Sequence, residues 1–570
     1  MNRIVSTRGI ALLTSVQLLL FSCSRPAEEP NHKSGLITEN AMVVSARGEA
    51  SRIGVEILKK GGNAFDAMMA TEMALAVTFP FAGNLGGGGF AVYRMADGEI
   101  GSLDYREKAP MAASRDMYLD ENGEVIPGLS TQGALASGVP GTIAGIFTAQ
   151  AKFGKLSPAE ILQPVIDLAR NGFVVSQQQE SRLRGILEVV REVNGEDTFY
   201  GKERSAGDTI KNLALAQTLE RIAQNGRDEF YKGETAKILV DHLQSLGGII
   251  TLEDLESYQA VWREPVVFDY KELRIISMAP PSSGGITIGQ ILKMVEPFDL
   301  KKMGHNSSEY IQVLTEAMRR AYADRNFYLG DPDFVAIPVP ELLDDEYLKS
   351  RMENYDPNLA TKSEDLAEGK VQFAESMETT HYSIMDAEGN ALAVTTTLNG
   401  AYGSKVYLDE LGFFMNNEMD DFSSKAGVPN MFGLIGADAN SIAPGKRMLS
   451  SMTPTLVERD GELWMILGTP GGSTIITAVA QTILNAYEFD MTMQEAVEAP
   501  RFHHQWLPDQ ILFEEKSLDS SVYRSLSSKN YRIHEGRTPI IGSVDAIMRL
   551  PDGKLEGGAD PRRENEAAGY

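Results

Sequence analysis

The first well-patterned part of the chain consists of two stretches with helical periodicity, which together span residues 49–77. The first stretch, EASRIGVEILKK, carries apolar residues at helical spacing, and Gly61-Gly62 after it predicts the end of that helix, since glycine favours the backbone conformation that closes a helix. Asn63 is a good N-cap residue because its side chain accepts hydrogen bonds from a first turn. The pattern therefore predicts a second helix that starts at Asn63 and continues through Ala- and Met-rich turns.

The middle of the chain, from about Pro110 to Asp356, is mostly helical in pattern, and proline–glycine clusters such as SGVPGTIAG divide it into helices of ordinary length. It is preceded by a glycine cluster, GNLGGGGF, at residues 83–90. A phosphate-binding loop would continue with Gly-Lys-Ser/Thr into a helix, whereas this cluster leads into a short apolar strand. We therefore expect close backbone packing or a substrate-facing turn here, and no nucleotide site.

From Thr379 onward the pattern changes to that of strands. Residues 381–386 and 391–398 predict a β-hairpin with a short turn that contains Gly389-Asn390. Residues 463–467 predict another strand, which a glycine-rich turn joins to a helix. The buried side of that helix is predicted to carry the aliphatic residues Ile475, Ile476, Val479, Ile483 and Leu484. We expect a helix-rich part before Thr379 and a strand-rich part after it.

The composition is that of a globular protein. The chain has 570 residues, of which 43% are hydrophobic and 23% charged, and a net charge of −26. A surface this acidic repels polyanions, which excludes nucleic acid as an expected partner. The acidic residues are dispersed along the chain, as on a well-solvated surface.

Residues 1–22 predict a signal peptide, with two arginines followed by an apolar run too short to span a bilayer as a helix. The sequence LFSC, which ends at Cys23, is similar to a bacterial lipobox, although Phe21 is bulkier than usual there. Cys23 would then carry a lipid, and residues 23–35 would form a tether. The alternative is a plain secretory signal with an incidental cysteine.

In either case we expect an exported protein of the bacterial cell envelope, either periplasmic or anchored to the outer membrane as a lipoprotein. Cys23 is the only cysteine of the chain. The mature chain therefore has no internal disulfide, and its fold depends on packing.

Thr379 and Thr380 lie between a polar stretch without clear period and the predicted hairpin. A threonine hydroxyl is a poor nucleophile at neutral pH. It becomes a useful one when it is the first residue of a chain, because its own α-amine, with a pKa of roughly 7.7–8.0, can then accept its proton. A strand start with no catalytic role is the alternative, and the residues alone leave both open.

The sequence resembles the γ-glutamyltranspeptidase family over nearly everything after the tether. After Thr379 the resemblance is carried by TTHYSIMDAEGNALAVTTTLNGAYGS, NNEMDDFSSKAGVPN, KRMLSSMTPT, GTPGGSTIIT, APRFHHQWLPD and ADPRRENEAAGY. Before Thr379 it is carried by GNLGGGGF, DYREKAP, SGVPGTIAG, PPSSGG and YADRNFYLGDPDF. The resemblance implies the four-layer αββα sandwich of N-terminal-nucleophile hydrolases, an α/β (α+β) fold. It also implies a precursor that cuts itself between Glu378 and Thr379 into a large subunit, residues 36–378, and a small catalytic subunit, residues 379–570.

The catalytic roles follow from this resemblance. Thr379 is the expected nucleophile, and Thr397 matches the threonine that supports it. Gly471 and Gly472 match the glycines of the oxyanion hole. Their position between a strand and a helix start suits this role, because backbone N–H groups there have no intrahelical partner.

A γ-glutamyl group presents an α-carboxylate and an α-ammonium, so its pocket needs a cation and an anion. Arg106 matches the carboxylate-binding arginine of the family, which can donate to both oxygens. Ser450 and Ser451 match the serine pair that binds the same carboxylate. Asp421 matches the aspartate that holds the ammonium, and Asn399 matches a further substrate-binding position.

Two positions depart from the pattern of close bacterial relatives. Glu418 replaces a frequent glutamine beside the substrate amine, where an extra carboxylate can tighten ammonium binding. Phe432 replaces a tyrosine that some relatives have on the lid over the pocket. Phenylalanine keeps the apolar cover but has no hydroxyl with which to donate a hydrogen bond.

We expect neither a metal nor a cofactor. His503-His504 is an adjacent pair without Cys or His partners at ligand spacing, so packing is the expected role. His381, close to the nucleophile, is not needed as a base if the α-amine serves.

The expected substrates are glutathione and other γ-glutamyl compounds, with water, amino acids or peptides as acceptors, and the two cleaved chains are expected to form a heterodimer. One alternative is a relative that acts on another amide, either a cephalosporin acylase or an enzyme that processes poly-γ-glutamate. Arg106, Asp421 and the serine pair disfavour the acylase, because they suit a zwitterionic head. Another alternative is a processed, inactive surface lipoprotein that only binds.

Overall fold

The computed structural model describes residues 32–366, 379–425, 428–431, 433–434, 437–536, 538 and 540–570. The predicted signal peptide, Cys23, most of the tether, Glu378 and Phe432 lie outside these residues. Within the described residues, no helix combines the length and the apolar character needed to cross a membrane.

The described residues form twenty strands, numbered in chain order. They are β1 Leu36–Thr38, β2 Met42–Ser45, β3 Gly88–Arg94, β4 Ile100–Tyr105, β5 Phe173–Val174, β6 Thr209–Ile210, β7 Val261–Arg263, β8 Val266–Tyr270, β9 Leu273–Ser277, β10 Thr380–Met385, β11 Ala391–Thr397, β12 Tyr407–Leu408, β13 Phe413–Phe414, β14 Thr455–Arg459, β15 Glu462–Gly468, β16 Phe502–His503, β17 Leu512–Phe513, β18 Asp545–Arg549, β19 Leu555–Ala559 and β20 Glu566–Gly569. Two antiparallel sheets of seven strands each hold most of them.

The α-helices follow the same chain order. They are α1 Gly48–Lys59, α2 Ala64–Thr78, α3 Thr142–Phe153, α4 Pro158–Asn171, α5 Gln177–Asn194, α6 Leu213–Asn225, α7 Arg227–Tyr231, α8 Glu234–Ser245, α9 Leu252–Ser257, α10 Gly284–Val295, α11 Leu300–Met303, α12 Ser308–Tyr328, α13 Val339–Leu342, α14 Asp345–Arg351, α15 Thr474–Glu488, α16 Met493–Glu498 and α17 Ser520–Ser528. Helices α1–α14 all precede Thr379, as the pattern predicts.

The two large sheets pack face to face, with helices on both outer sides. The first sheet has the order β1-β19-β18-β15-β14-β9-β8, and the second has the order β20-β2-β10-β11-β3-β4-β7. Helices α1, α2 and α3 pack on the second sheet, and α10, α15 and α16 pack on the first. This arrangement confirms the predicted αββα layering.

Each large sheet combines strands from both sides of Thr379. In the second sheet β10 pairs with β2, and β11 pairs with β3, so strands that follow Thr379 lie in the middle and strands that precede it flank them. In the first sheet β14 pairs with β9 in the same way. The parts before and after Thr379 therefore form one body.

The side chains of β10 alternate between two apolar cores, as the period of a strand requires. Tyr382 and Ile384 belong to the core beneath α1–α3. Met385 belongs to the other core, which fills the space between the sheets and beneath α10, α12 and α15. Burial on both faces explains why this strand carries apolar and hydroxylated side chains together with a single histidine, His381.

The local elements predicted from the pattern are found close to their expected bounds. Asn63 caps α2, with its side chain accepting from the backbone N–H of Phe65 and Asp66 while Asp66 accepts from the N–H of Asn63. The predicted hairpin is β10–β11, with Gly389 in its turn at a φ of +94°. The predicted strand and helix around the glycine-rich turn are β15 and α15.

Candidate active site

One cleft collects most of the residues that the sequence analysis singles out. It encloses about 540 Å³, including the solvent at its mouth. The predicted residues that line it are Arg106, Thr379, Thr397, Asn399, Asp421, Ser450, Ser451 and Gly472. Arg106 precedes Thr379 and follows β4, whereas the others lie at or after Thr379. Asn399 and Gly472 follow strands of the large sheets, and Ser450 and Ser451 precede β14.

The hairpin register places Thr379 beside Thr397. Residue Thr380 pairs with Thr396 across β10 and β11, so one further step sets Thr379 opposite Thr397 at the edge of the cleft. Thr379 is 4% exposed, and Arg563 Nη1 donates to its carbonyl oxygen at 3.3 Å. The nucleophile candidate therefore lies in a largely buried and well-defined position.

Asn399 follows the end of β11 and faces the same cleft. Its backbone has a φ of +71°, and its N–H donates to Thr397 Oγ1 at 2.7 Å. Its side-chain amide donates to the carbonyl of Asn417 at 3.0 Å. The hydrogen bond to Asn417 holds this turn against the segment that carries Glu418 and Asp421.

The turn between β15 and α15 carries the two predicted oxyanion glycines. Gly471 has a φ of +141° and Gly472 a φ of +51°, both in the region that favours glycine. Thr474 closes the turn because its Oγ1 donates to the Gly471 carbonyl at 2.8 Å. Gly472 lines the cleft, whereas Gly471 is not among the lining residues.

Arg106 lies at the centre of a buried group of charges. Its Nη1 is 2.5 Å from Glu418 Oε2 and 3.6 Å from Glu107 Oε2, and its Nη2 donates to Asp421 Oδ2. Glu418 is fully buried and lies against Arg106; unlike Asp421, it is not among the residues that line the cleft. Three carboxyl groups thus compete for one guanidinium.

Burial and mutual repulsion raise the pKa of each of these carboxyl groups. Burial raises the pKa of Asp421 to about 6, although the Arg106 charge opposes the shift. Burial, together with the nearby acidic groups, raises the pKa of Glu107 to about 8 against the same opposing charge. Burial also raises the pKa of Glu418 well above its usual range. The group is therefore ready to gain negative charge when a cation arrives.

Ser450 and Ser451 form another part of the cleft wall, and a loop that precedes Thr379 holds them in place. Ser283 donates to the Ser450 carbonyl from its backbone N–H at 2.8 Å and from its Oγ at 2.7 Å. Ser282 Oγ donates to the Met452 carbonyl at 2.6 Å. Ser282 and Ser283 belong to PPSSGG, one of the motifs that carry the family resemblance.

Arg325 is a cleft residue to which the sequence analysis assigns no role. It lies on α12 within the motif YADRNFYLGDPDF, and it is 4% exposed. Its Nη2 donates to Ser451 Oγ at 3.0 Å and its Nε donates to Ser283 Oγ at 2.9 Å. Its burial depends on packing between distant segments, and only its place in a family motif could have pointed to it.

The segment expected to cover the cleft is described on both sides of Phe432. Asn430 Nδ2 donates to Asp421 Oδ1 at 3.1 Å, and the N–H of Met431 donates to Asp420 Oδ2 at 2.9 Å. Gln505 Nε2 donates to the Gly433 carbonyl at 3.2 Å. The first two bonds hold Asn430 and Met431 against the acidic side of the cleft.

The histidines singled out in the sequence are held by neutral or acidic neighbours in the interior. The His381 ring nitrogens lie 2.8 Å from Thr395 Oγ1 and 3.1 Å from Ser383 Oγ, and burial lowers the pKa of this ring to about 3. His503 Nδ1 lies 2.9 Å from Thr477 Oγ1, and His504 Nε2 lies 3.3 Å from Asp509 Oδ1. No group of three or more metal-ligating side chains occurs among the described residues.

Comparisons with protein families, with sequences and with solved structures all find γ-glutamyltranspeptidases or glutathione hydrolases among the similar proteins. The family described as Gamma-glutamyltranspeptidase matches residues 50–570. The glutathione hydrolase proenzyme of Escherichia coli K12 is 46% identical over 537 residues, covering 93% of this chain and 92% of that protein. The structure of cephalosporin acylase from Bacillus halodurans superimposes with a TM-score of 0.83 at 25% identity, covering 96% of this chain and 99% of that one. The Helicobacter pylori γ-glutamyltranspeptidase structure has a TM-score of 0.56 at 41% identity, covering 61% of this chain and 99% of that one.

Proposed function

The chain belongs to the γ-glutamyltranspeptidase family, and on that premise we propose that it is a γ-glutamyl acyltransferase that also hydrolyses glutathione. The observation that carries the proposal is the shared cleft of Thr379 with Arg106, Asp421, Ser450 and Ser451. A hydroxyl nucleophile there lies among cationic, anionic and hydroxyl groups. Such a set suits an acyl donor whose far end bears both an ammonium and a carboxylate.

The proposed reaction has two acyl-transfer steps. The Thr379 hydroxyl attacks the δ-carbonyl of the γ-glutamyl group, and the Thr379 α-amine accepts the hydroxyl proton. The amide C–N bond breaks, the leaving amine receives that proton, and a γ-glutamyl ester remains on Thr379. Water or the amine of an amino acid or peptide then attacks the ester and restores the hydroxyl.

Stabilisation of the developing oxyanion is assigned to the turn of Gly471 and Gly472. Its backbone N–H groups precede α15, so the partial positive charge of the helix N-terminus adds to their hydrogen bonds. Thr397, opposite Thr379 in the extended register, is assigned to orient the nucleophile. Neither step requires a metal or an organic cofactor.

The α-amine of Thr379 exists only after the bond to Glu378 is cut, so the proposal includes self-cleavage into residues 36–378 and 379–570. The Thr379 hydroxyl attacks the Glu378 carbonyl, the amide bond becomes an ester, and water opens it. The two chains then remain together as a heterodimer. We further propose export to the bacterial cell envelope, with a lipid on Cys23, on the basis of the pattern of residues 1–23.

A cephalosporin acylase shares the fold, so substrates that differ only in their head groups provide the test. We compare γ-glutamyl-p-nitroanilide with glutaryl-p-nitroanilide, which lacks the ammonium. The acidic group around Asp421 favours the first by at least roughly tenfold in kcat/KM, because a charged hydrogen bond contributes about 1.5–3 kcal/mol. A preference for the glutaryl compound would contradict the proposal and favour the acylase.

Self-cleavage is tested in the same preparation. Denaturing electrophoresis and intact-mass measurement are expected to give two chains for the wild type, with the new N-terminus at Thr379. The Thr379→Ala variant is expected to stay one chain and to release no chromophore, whereas Thr379→Ser retains a hydroxyl and keeps part of both activities. Cleavage of the alanine variant at the same bond would overturn the mechanism.

A further inference from the structure

Arg325 is a buried guanidinium that lines the cleft and has no carboxylate within 4 Å among the described residues. Its hydrogen-bond partners are neutral: Ser283 and Ser451, and Asn326 Oδ1 at 3.0 Å from Nη1. Burial lowers the pKa of Arg325 to about 10, partly offset by Tyr322 and Asp421, so the group stays charged at neutral pH. Leaving a buried charge without a counter-ion is costly, which points to an anion supplied from the cleft.

Arg106 differs from Arg325 in this respect. Glu107 and Glu418 lie within 3.6 Å of its guanidinium, and Asp421 accepts a hydrogen bond from it. Asp421, which is mostly ionised at neutral pH, therefore balances the charge of Arg106 before any ligand arrives. The positive potential available to an incoming carboxylate is stronger on the side of Arg325.

Arg325 also determines which way the Ser451 hydroxyl can act. A guanidinium only donates hydrogen bonds, so Ser451 Oγ must accept from Nη2, and its own proton remains available. The Ser450 hydroxyl is also an acceptor, because its Oγ accepts a hydrogen bond from the N–H of Met452 at 3.1 Å. Both serine hydroxyls are thus left to donate into the cleft, where a carboxylate oxygen would accept.

We propose that Arg325 is the positioning residue for the α-carboxylate end of the substrate, acting through Ser451 and Ser283 and supplying the counter-charge. This role rests on the proposed γ-glutamyl specificity and adds a large-subunit helix to the residues that determine it. Helix α12 also supports the oxyanion turn, since Tyr322, one turn before Arg325, donates from its hydroxyl to the Ser473 carbonyl. Helix α12 thus supports both the serine pair, through Arg325, and the oxyanion turn, through Tyr322.

The test compares two acyl anilides in wild type, Arg325→Gln and Arg325→Lys. The first is γ-glutamyl-p-nitroanilide, and the second is 4-aminobutyryl-p-nitroanilide, which lacks only the α-carboxylate. For Arg325→Gln we expect kcat/KM on the γ-glutamyl substrate to fall roughly tenfold to a hundredfold, mainly through KM, as for loss of a charged hydrogen bond. Turnover of the 4-aminobutyryl substrate should stay within about twofold, the scatter of a neutral change.

Arg325→Lys keeps the charge but cannot donate to both serines, so its loss should be intermediate and again confined to the carboxylate-bearing substrate. Combining Arg325→Gln with Ser451→Ala should cost less than the sum of the single losses, because the two residues act as one unit. Arg459→Gln, at a half-exposed site on β14, is the matched control, and it should leave kcat/KM for both substrates unchanged.

The outcomes separate this proposal from the proposed function. Wild-type protein that cleaves itself but does not turn over the γ-glutamyl anilide contradicts the function. Wild-type turnover with equal losses on both anilides in the Arg325 variants overturns the positioning role alone. Failure of both variants to self-cleave and fold, judged by electrophoresis and circular dichroism, also overturns it in favour of a purely structural role.

Discussion

Arg106 Nη1 lies 2.5 Å from Glu418 Oε2, so the arginine that the family resemblance assigns to the substrate carboxylate is engaged by a carboxylate of its own chain. Asp421 occupies the neighbouring Nη2. The acidic side of the cleft is therefore built around Arg106, and its charge depends on pH.

Affinity for a γ-glutamyl donor should increase from pH 5 to pH 7.5. Burial raises the pKa of Asp421 to about 6. Below that pH its carboxyl group is neutral and cannot pair with the substrate ammonium, and each further pH unit lowers the ionised fraction roughly tenfold. KM for γ-glutamyl-p-nitroanilide, measured at constant ionic strength, should therefore be larger at pH 5 than at pH 7.5.

Asp421→Asn provides the control for this pH dependence. It should raise KM at pH 7.5 and flatten its change with pH, since the asparagine does not titrate in this range. A wild-type KM that stays constant from pH 5 to pH 7.5, with only kcat changing, would contradict the assignment of Asp421 to the ammonium.

Lysine should not replace Arg106. The guanidinium contacts Glu418 and Asp421 at once and also donates to the carbonyls of Met448 and Leu449 at 3.4 Å. A lysine ammonium cannot span these positions. We expect Arg106→Lys to raise KM at least roughly tenfold, measured by steady-state turnover of the anilide, while self-cleavage, followed by electrophoresis, persists. An unchanged KM would show that substrate binding does not depend on the simultaneous contacts of the guanidinium with Glu418 and Asp421.

A methyl group at Gly471 should disrupt the oxyanion turn. Gly471 has a φ of +141°, and an added Cβ would lie 2.6 Å from Thr474 Oγ1. Gly471→Ala should lower kcat on the order of a hundredfold or more, as for loss of an oxyanion donor. Gly461→Ala is the matched control, because its φ is +79° but its Cβ would meet nothing within 4 Å. A similar kcat loss in both variants would show that strain alone is responsible.

Acid should destabilise the fold through its buried histidines. Burial lowers the pKa of His503 to about 3, against 6.5 for a free ring. Between these values the unfolded chain binds a proton that the folded chain does not, so stability is lost as pH falls below 6.5. From pH 7 to pH 5 the loss is about 2 kcal/mol for this group, at about 1.4 kcal/mol per pH unit.

His503→Gln removes that titration. In the Thr379→Ala background, which is expected to remain a single chain, the fall in melting temperature from pH 7 to pH 5 should be smaller with His503→Gln than without it. Calorimetry or far-UV circular dichroism measures the difference. An identical fall in both proteins would mean that the histidine accepts its proton without unfolding.

Much of the local structure could be predicted from the sequence, because it depends on short-range chemistry. Asn63 caps α2 by bonds to residues two and three positions ahead, and Gly389 closes the β10–β11 hairpin. The family motifs identified the cleft residues Arg106, Thr379 and Asp421, although their roles remain predictions.

The order of the strands and the position of Arg325 could not be predicted in this way. The partners of β10 are β11, close in sequence, and β2, more than 300 residues away, and no local pattern distinguishes β2 from the other apolar strands. Arg325 lies on α12, where most residues are buried whether they are polar or apolar. The sequence pattern of this helix therefore did not indicate which of its polar residues face a cleft. The role of Arg325 becomes visible only when the distant Ser283 and Ser451 are placed beside it.

The mixed strand order has a consequence for the lifetime of the enzyme. With the proposed cleavage before Thr379, β2 and β3 flank β10 and β11 across two different polypeptides. Either polypeptide alone would expose unpaired strand edges, which favour aggregation. Each chain therefore depends on the other for a folded, soluble state, and we expect neither to persist in the cell once its partner is lost.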